Sequence, residues 1–271
     1  NVLDLQKQIE IRAPDLKLKI INNFFKKNEN LISGTNNISI LNSSINTKYS
    51  IKDHIVIFQS DSSRTYNSKI DYNGQLAINP FDLNLKINLY DYKISNLFTQ
   101  NSIINEFIKS GLLFNENISV HTLINIESTK KDKIFNEAKL KLRVLNGKIS
   151  FDNSIFINNN IGLMEISNSD LFLENNKLIL TSNLSIDIKD IDGLFSFLNT
   201  SKKSRKDIKN IKLNIIYDFL SNEIEFKNIK INDNDVSSQF SNISEGFIDI
   251  NSNNLTKSRK LLNELIDLYE G

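Results

Sequence analysis

The chain has 271 residues, with 33 Lys and Arg against 32 Asp and Glu, so its net charge of +1 supplies no field that would gather nucleic acid over the whole surface. It contains no Cys, which excludes disulfides, thiolate metal sites and cysteine nucleophiles, and no stretch approaches 18 uninterrupted apolar residues, which excludes a bilayer-spanning helix. Apolar residues make up 39%, enough for a folded core, while the wealth of Asn, Ile, Lys and Ser is a skew that an A+T-rich genome would produce by itself and carries little functional weight.

Alternation with period 2 runs along nearly the whole chain and predicts strands that bury one face and wet the other. The N-terminal part carries it at Leu16, Leu18 and Ile20, then at Ile38 and Ile40, then at Ile55 and Ile57. Asn73 and Gly74 have the composition of a tight turn. Leu83, Leu85, Ile87 and Leu89 then alternate with Asn84, Lys86, Asn88 and Tyr90. Ile103, Ile104, Phe107 and Ile108 switch to helical spacing and stop at Gly111.

Strand periodicity resumes at Ile118, Val120, Thr122, Ile124 and Ile126, and Lys130, Lys131 and Lys133 mark a hairpin tip. Ala138, Leu140, Leu142 and Val144 alternate with Lys139, Lys141, Arg143 and Leu145, and Asn146-Gly147 closes the run as a turn. After turn residues at Glu174 to Asn176, a long run places Leu178, Leu180, Ser182, Leu184, Ile186 and Ile188 on one side. Ile191 to Leu198 is too densely apolar for an alternating strand and reads as a helix. Asp187, Asp190 and Asp192 before it could be drawn as a calcium site, but carboxylates also suit a helix N-terminus, which is the favoured reading.

The densest charge patch follows, with Lys202, Lys203, Arg205, Lys206, Lys209 and Lys212. It reads as a solvated loop or as a contact for anionic lipid head groups, the latter resting on Lys202, Lys203, Arg205 and Lys206. Ile211, Leu213, Ile215 and Tyr217 form a last clear strand ending at Ser221 and Asn222. From about Lys257 to Tyr269, Leu261, Leu262, Leu265, Leu268 and Tyr269 share a helical stripe, with Lys257, Arg259 and Lys260 set against the helix dipole.

These elements predict a mainly β protein: one continuous unit over 1–271, a long twisted antiparallel sheet curled into an open apolar groove, with short amphipathic helices and a C-terminal helix. The lining residues are Leu83, Leu85, Ile87 and Leu89, then Ile118, Val120, Ile124 and Ile126, then Leu140, Leu142 and Val144, and finally Leu178, Leu180, Leu184 and Ile186. Short turns argue for up-and-down order, since parallel strands need long crossovers. No catalytic constellation accompanies them. His54 and His121 lack an orienting acid or nucleophile in any motif, and there is no phosphate-cradling glycine loop, nucleophile elbow or paired-histidine zinc helix. The expectation is a non-enzyme without cofactor or metal.

The order of features from Tyr72 to Arg205 resembles the C-terminal region of AsmA-like proteins of Gram-negative envelopes. It runs from Tyr72-Asn73-Gly74-Gln75 through Asn79-Pro80-Phe81, the 83–89 strand, the 97–113 helical region and Asn115 to Ile126. It continues with Asn146-Gly147-Lys148, a hairpin at Gly162, the segment Ile186 to Leu198 and Lys203-Ser204-Arg205. About 71–271 carries the match, and about 1–70 adds N-terminal strands. The resemblance implies a relative of bridge-like lipid-transfer proteins: periplasmic, held in the inner membrane by an N-terminal anchor absent from this chain, and handling phospholipid on its way to the outer membrane. Its partners would then be phospholipid, the inner membrane and other envelope proteins, with no nucleic acid. The chain opens on Asn without a signal peptide, so it is expected to be the interior or end of a longer protein. The alternative is a structural, adhesin-like extracellular β protein with no lipid cargo. A carbohydrate-active enzyme would want aromatic platforms, and the chain has no Trp.

Overall fold

The computed structural model describes residues 5–13, 18–28, 30–40, 43–65, 68–94, 111–128, 134–175, 177–221, 223–240 and 255–269. Their strands join in one 17-stranded sheet. The first part is a meander of β1 (Leu5–Ala13), β2 (Leu18–Asn28), β3 (Leu31–Ile40), β4 (Ser43–Lys52), β5 (Ile55–Ser60), β6 (Ser63–Thr65), β7 (Ser68–Ala77) and β8 (Phe81–Tyr90). Neighbours pair antiparallel, with β5 and β6 sharing the place between β4 and β7. The second part comprises β9 (Ile118–Glu127), β10 (Glu137–Leu145), β11 (Lys148–Ser150), β12 (Ser154–Asn158), β13 (Gly162–Glu174), β14 (Lys177–Ile188), β15 (Asn210–Asp218), β16 (Glu223–Ile231) and β17 (Asn234–Asp235). It is antiparallel throughout, with β11 and β12 side by side between β10 and β13.

One pairing breaks the antiparallel expectation: β8 and β9 run parallel, from Phe81 opposite Ile118 to Leu89 opposite Ile126. A parallel pair cannot be closed by a hairpin, and the chain from Asp91 to Asn117 makes the crossover. The helical spacing at Ile103 to Ile108 falls inside this connection but outside the described residues, as do Lys130, Lys131 and Lys133.

The turn expected at Asn73-Gly74 is not a turn. Both residues lie inside β7, where Gly74 faces Phe58 on one side and Leu85 on the other. A Cβ on Gly74 would sit 2.6 Å from the Phe58 ring, so the glycine is there to let that ring lie across the sheet. Gly34 does the same for Tyr49, whose ring a Cβ would meet at 2.6 Å. By contrast Asn146 and Gly147 form a tight turn with φ of 51° and 71°, as the sequence implies, and Asp53 and His54 form another with 49° and 63°.

Two helices match the sequence reading. Asp190 caps Ile191–Leu198, its carboxylate accepting from Gly193 N at 2.9 Å. The C-terminal helix spans Leu255–Leu268. Together with β15 and β16 they enclose a core of Phe195, Leu198, Ile208, Ile229, Ile231, Val236, Leu265, Ile266 and Tyr269. The helices are tied by Asn263, which donates to Leu198 O at 2.9 Å and accepts from Thr200 Oγ1 at 2.5 Å. Arg259, awkward for the helix dipole, stacks on the Phe197 ring at 4.8 Å, so packing between the helices accounts for a cation at that end. Lys260 finds Glu264 one turn on at 3.8 Å.

Candidate functional site

Residues opposite one another in a ladder point to the same side of a sheet, so the registers trace each face strand by strand. One transverse row runs Ile32, Ile51, Val56, Leu76, Leu83, Val120, Val144, Ile149, Leu171, Leu180, Tyr217, Ile224, each the ladder partner of the next. It crosses from β3 to β16 without a polar residue other than the Tyr217 hydroxyl. At about 4.8 Å per strand the path is roughly 50 Å along the sheet. A second row runs Ile70, Leu89, Ile126, Ala138, Phe156, Met164, Ile186, Ile211, Ile231. All fifteen residues expected to line a groove fall on this one face.

What covers the face changes along it. In the middle, both described ends of the crossover pack against it. Ile94 and Tyr92 join Leu89, Ile124, Ile126, Leu140 and Phe156, while Leu113 and Phe114 join Val120, Val144, Ile149, Leu171 and Leu178. Leu89, Val120, Ile124, Ile126, Leu140, Val144 and Leu178 are therefore buried by the protein itself. Leu83, Leu85, Ile87, Ile118, Leu142, Leu180, Leu184 and Ile186 are partly exposed. At the C-terminal end the two helices close the face.

Toward the N-terminus the cover is thinner. Ile20, Phe24, Ile32, Ile38, Ile45, Tyr49, Ile51, Val56 and Phe58 continue the apolar face yet remain partly exposed, and Ile9 and Ile11 on β1 are 49% and 53% exposed. Weak alternation in this region gave it little weight as lining. A polar stripe interrupts it at Asn22, Asn36 and Thr47, which stand opposite one another on β2, β3 and β4. Tyr49 donates to Asn22 Oδ1 at 3.0 Å, and Thr47 and Tyr72 share a hydroxyl contact of 2.6 Å.

The other face is mostly polar and holds its own concavity. An open trough of about 1100 Å³ is lined by residues that include the polar Gln59, Asn73, Gln75, Asn84, Lys86, His121, Lys141, Arg143 and Lys148 and the apolar Ile57 and Leu123. His121 is thus exposed on the polar side, as its place in the alternation implies, and His54 sits in the β4–β5 turn. Of the C-terminal basic run, Arg205 is engaged by Asp192 at 3.3 Å and lies over the Phe195 ring at 5.5 Å, while Lys202 and Lys203 are exposed in a short 3-10 turn and Lys206 is partly exposed. Asp192 and Asp190 are thereby occupied at the helix start, and Asp187 stands on the polar face of β14. Among the described residues no group of three or more His, Asp or Glu could hold a metal ion.

Burial raises the pKa of Tyr92, and burial then the charge of Asp218 raise that of Tyr217. Both phenols border the apolar face as neutral groups, which suits an uncharged lining. Comparison of the chain with protein-family models, with curated proteins and with solved structures gives no match.

Proposed function

We propose that this chain is a non-enzymatic lipid-handling module, in which the apolar face of the sheet holds the acyl chains of phospholipid and its partly exposed N-terminal stretch is where they enter or leave. The observation that carries this reading is the unbroken apolar row from Ile32 to Ile224, which continues past the point where the protein's own residues cover it. Acyl chains gain about 0.8 kcal/mol for each methylene removed from water, and a uniform lining lets them slide without being trapped. No catalytic group is needed. The stripe of Asn22, Asn36 and Thr47 offers amide and hydroxyl groups to the ester and glycerol region of such a lipid. Lys202, Lys203 and Lys206 offer charge to a head group or membrane surface. The likeness in element order to AsmA-like envelope proteins supports the same reading, and with it a periplasmic site, an inner-membrane anchor outside this chain and a contribution to outer-membrane lipid supply.

The test is paired. Lipids that co-purify with the chain are identified by mass spectrometry, and phospholipid transfer between vesicles is measured for the parent, Ile20→Asp, Leu85→Asp and the polar-face control Thr35→Asp. The expected result is bound phospholipid in the parent, and loss of lipid and transfer in the first two variants while circular dichroism shows them folded. A parent that neither carries nor transfers phospholipid overturns the proposal.

A further inference from the structure

The trough on the polar face is independent of the lipid reading, because it lies on the opposite side of the sheet. Two transverse rows form its floor. One runs Ile57, Gln75, Asn84, His121, Arg143, Ser150, and the other Gln59, Asn73, Lys86, Leu123, Lys141, each residue the ladder partner of the next, so that Ile57 and Leu123 add two apolar positions to a polar floor. Lys148 stands opposite Leu145 across the β10–β11 turn, diagonal to Arg143 on the same face. Lys86 and Lys141 are two strands apart, about 10 Å at the usual strand spacing.

The four cations Lys86, Lys141, Arg143 and Lys148 are exposed, and none forms an ion pair among the described residues. Two carboxylates line the trough's far end, Asp152 and Asp170. Asp152 is occupied there, its Oδ1 accepting from Ser169 N at 2.6 Å and Ser169 Oγ at 2.8 Å. The trough therefore has a positive middle within a chain of net charge +1. Interleaved amides each present a donor and an acceptor side by side, the arrangement that pairs with neighbouring hydroxyls. Phe58, the one Phe, Tyr or Trp among the described lining residues, belongs to the opposite face by its register with Gly74 and Leu85. Cations for carboxylate or phosphate and amides for hydroxyls, with no such ring on the floor, favour a hydroxylated anion over a nucleic acid.

We propose that this trough binds an acidic oligosaccharide, its carboxylate or phosphate groups on Lys86, Lys141, Arg143 and Lys148 and its hydroxyls on Gln75, Asn84 and Asn73. Binding to the intact chain is measured by calorimetry with oligogalacturonate and with a phosphorylated mannan oligosaccharide. A neutral malto-oligosaccharide, tripolyphosphate and a single-stranded oligothymidylate serve as comparisons.

The double variant Lys141→Glu/Arg143→Glu should weaken binding of the acidic sugar by about tenfold or more, since each charged hydrogen bond contributes roughly that factor. Arg143→Ala, a truncation on an exposed face, should weaken it less while the fold is untouched. Lys52→Glu/Lys189→Glu makes the same charge change away from the trough and should leave binding within about twofold. Binding by either acidic sugar with this pattern supports the site. Four results overturn it: no binding of either acidic sugar, equal loss in the distant double variant, tripolyphosphate binding as tightly as the sugars, or oligothymidylate binding more tightly than they do.

Discussion

Ile231 on β16 and Ile20 on β2 stand on the same face of one sheet, yet the first is fully buried and the second partly exposed. The strands around them do not explain the difference. What differs is the next layer: two helices close over β15 and β16, whereas β1 to β5 meet no such cover among the described residues. Alternation in a sequence states which side of a strand is apolar. It does not state whether protein or another molecule will occupy that side.

The sharpest way to break this comparison is to place the same charge at both ends. Ile231→Asp puts an unpaired carboxylate in a closed core and should unfold the C-terminal part of the sheet, consuming several kcal/mol of a total near 5 to 15. Ile20→Asp should cost far less, because the side chain can turn toward water. Hydrogen exchange of the full chain reads both ends at once, and equal loss of protection at the two ends would show that the N-terminal face is an ordinary core.

A second test turns the closed end into an open one. Leu265→Ala removes a buried side chain from the C-terminal helix, at a cost of about 2 to 5 kcal/mol. Loosening of the helix should expose the β15–β16 face, seen as increased binding of an apolar dye. Unchanged dye binding with the same loss of stability would mean that the helix holds its place without that contact.

How far the sequence could be read follows the same division. Strict alternation made β8, β9, β10, β14 and β15 visible, and dense apolar spacing with an acidic start marked Ile191–Leu198. The β4 strand was missed because Ser43 and Thr47 dilute its apolar side. In β16 an extra residue near Asn228, with φ of 51°, shifts the pattern from Ile224 and Phe226 to Ile229 and Ile231, so no single period spans the strand. The parallel pairing of β8 and β9 went against the expected up-and-down order, although the long gap between Leu89 and Ile118 is one that no hairpin could close. The trough left no trace in the pattern, since Lys and Asn on a wet face look alike whether that face is convex or hollow.

The glycines that seat aromatic rings offer a third, smaller test at the junction of the two regions. Gly74→Ala sets a methyl 2.6 Å from the Phe58 ring and 2.5 Å from Asn84 O, and should destabilise by about 1 to 3 kcal/mol. Adding Phe58→Leu should restore only part of this in thermal unfolding, because the backbone contact remains. Full restoration would assign the whole effect to the ring.

The smallest effect compares two carboxylates whose pKa is held down at opposite ends of the sheet. Asp218 is buried, and burial alone would raise its pKa, but donations from Leu220 N and Ser221 Oγ, each at 2.9 Å, and from Ser221 N, with Lys177 nearby, outweigh that and lower it. Glu10 is lowered first by its hydrogen bond from Arg12 and then by Lys19, and it stands on the surface beside two exposed cations. A carboxylate whose pKa falls on folding adds stability that is present above its unfolded value of about 4 and is lost as pH drops through the folded value. Both should therefore contribute to acid sensitivity below about pH 4. Salt shortens the reach of charge from about 10 Å at 0.1 M to about 3 Å at 1 M, so molar salt should weaken the Glu10 contribution, whose donors are exposed cations, more than that of Asp218, which is buried and held mainly by backbone and hydroxyl donors in the β15–β16 turn. Amide exchange of Tyr217 and Phe219 followed from pH 5 to pH 2, at low and high salt, for the parent and for Asp218→Asn, reads this directly. The variant should have a flatter acid limb at both salt concentrations. An acid limb that salt flattens as fully in the parent would mean that Asp218 acts as a surface charge, and that the closed end of the sheet is less closed than its packing indicates.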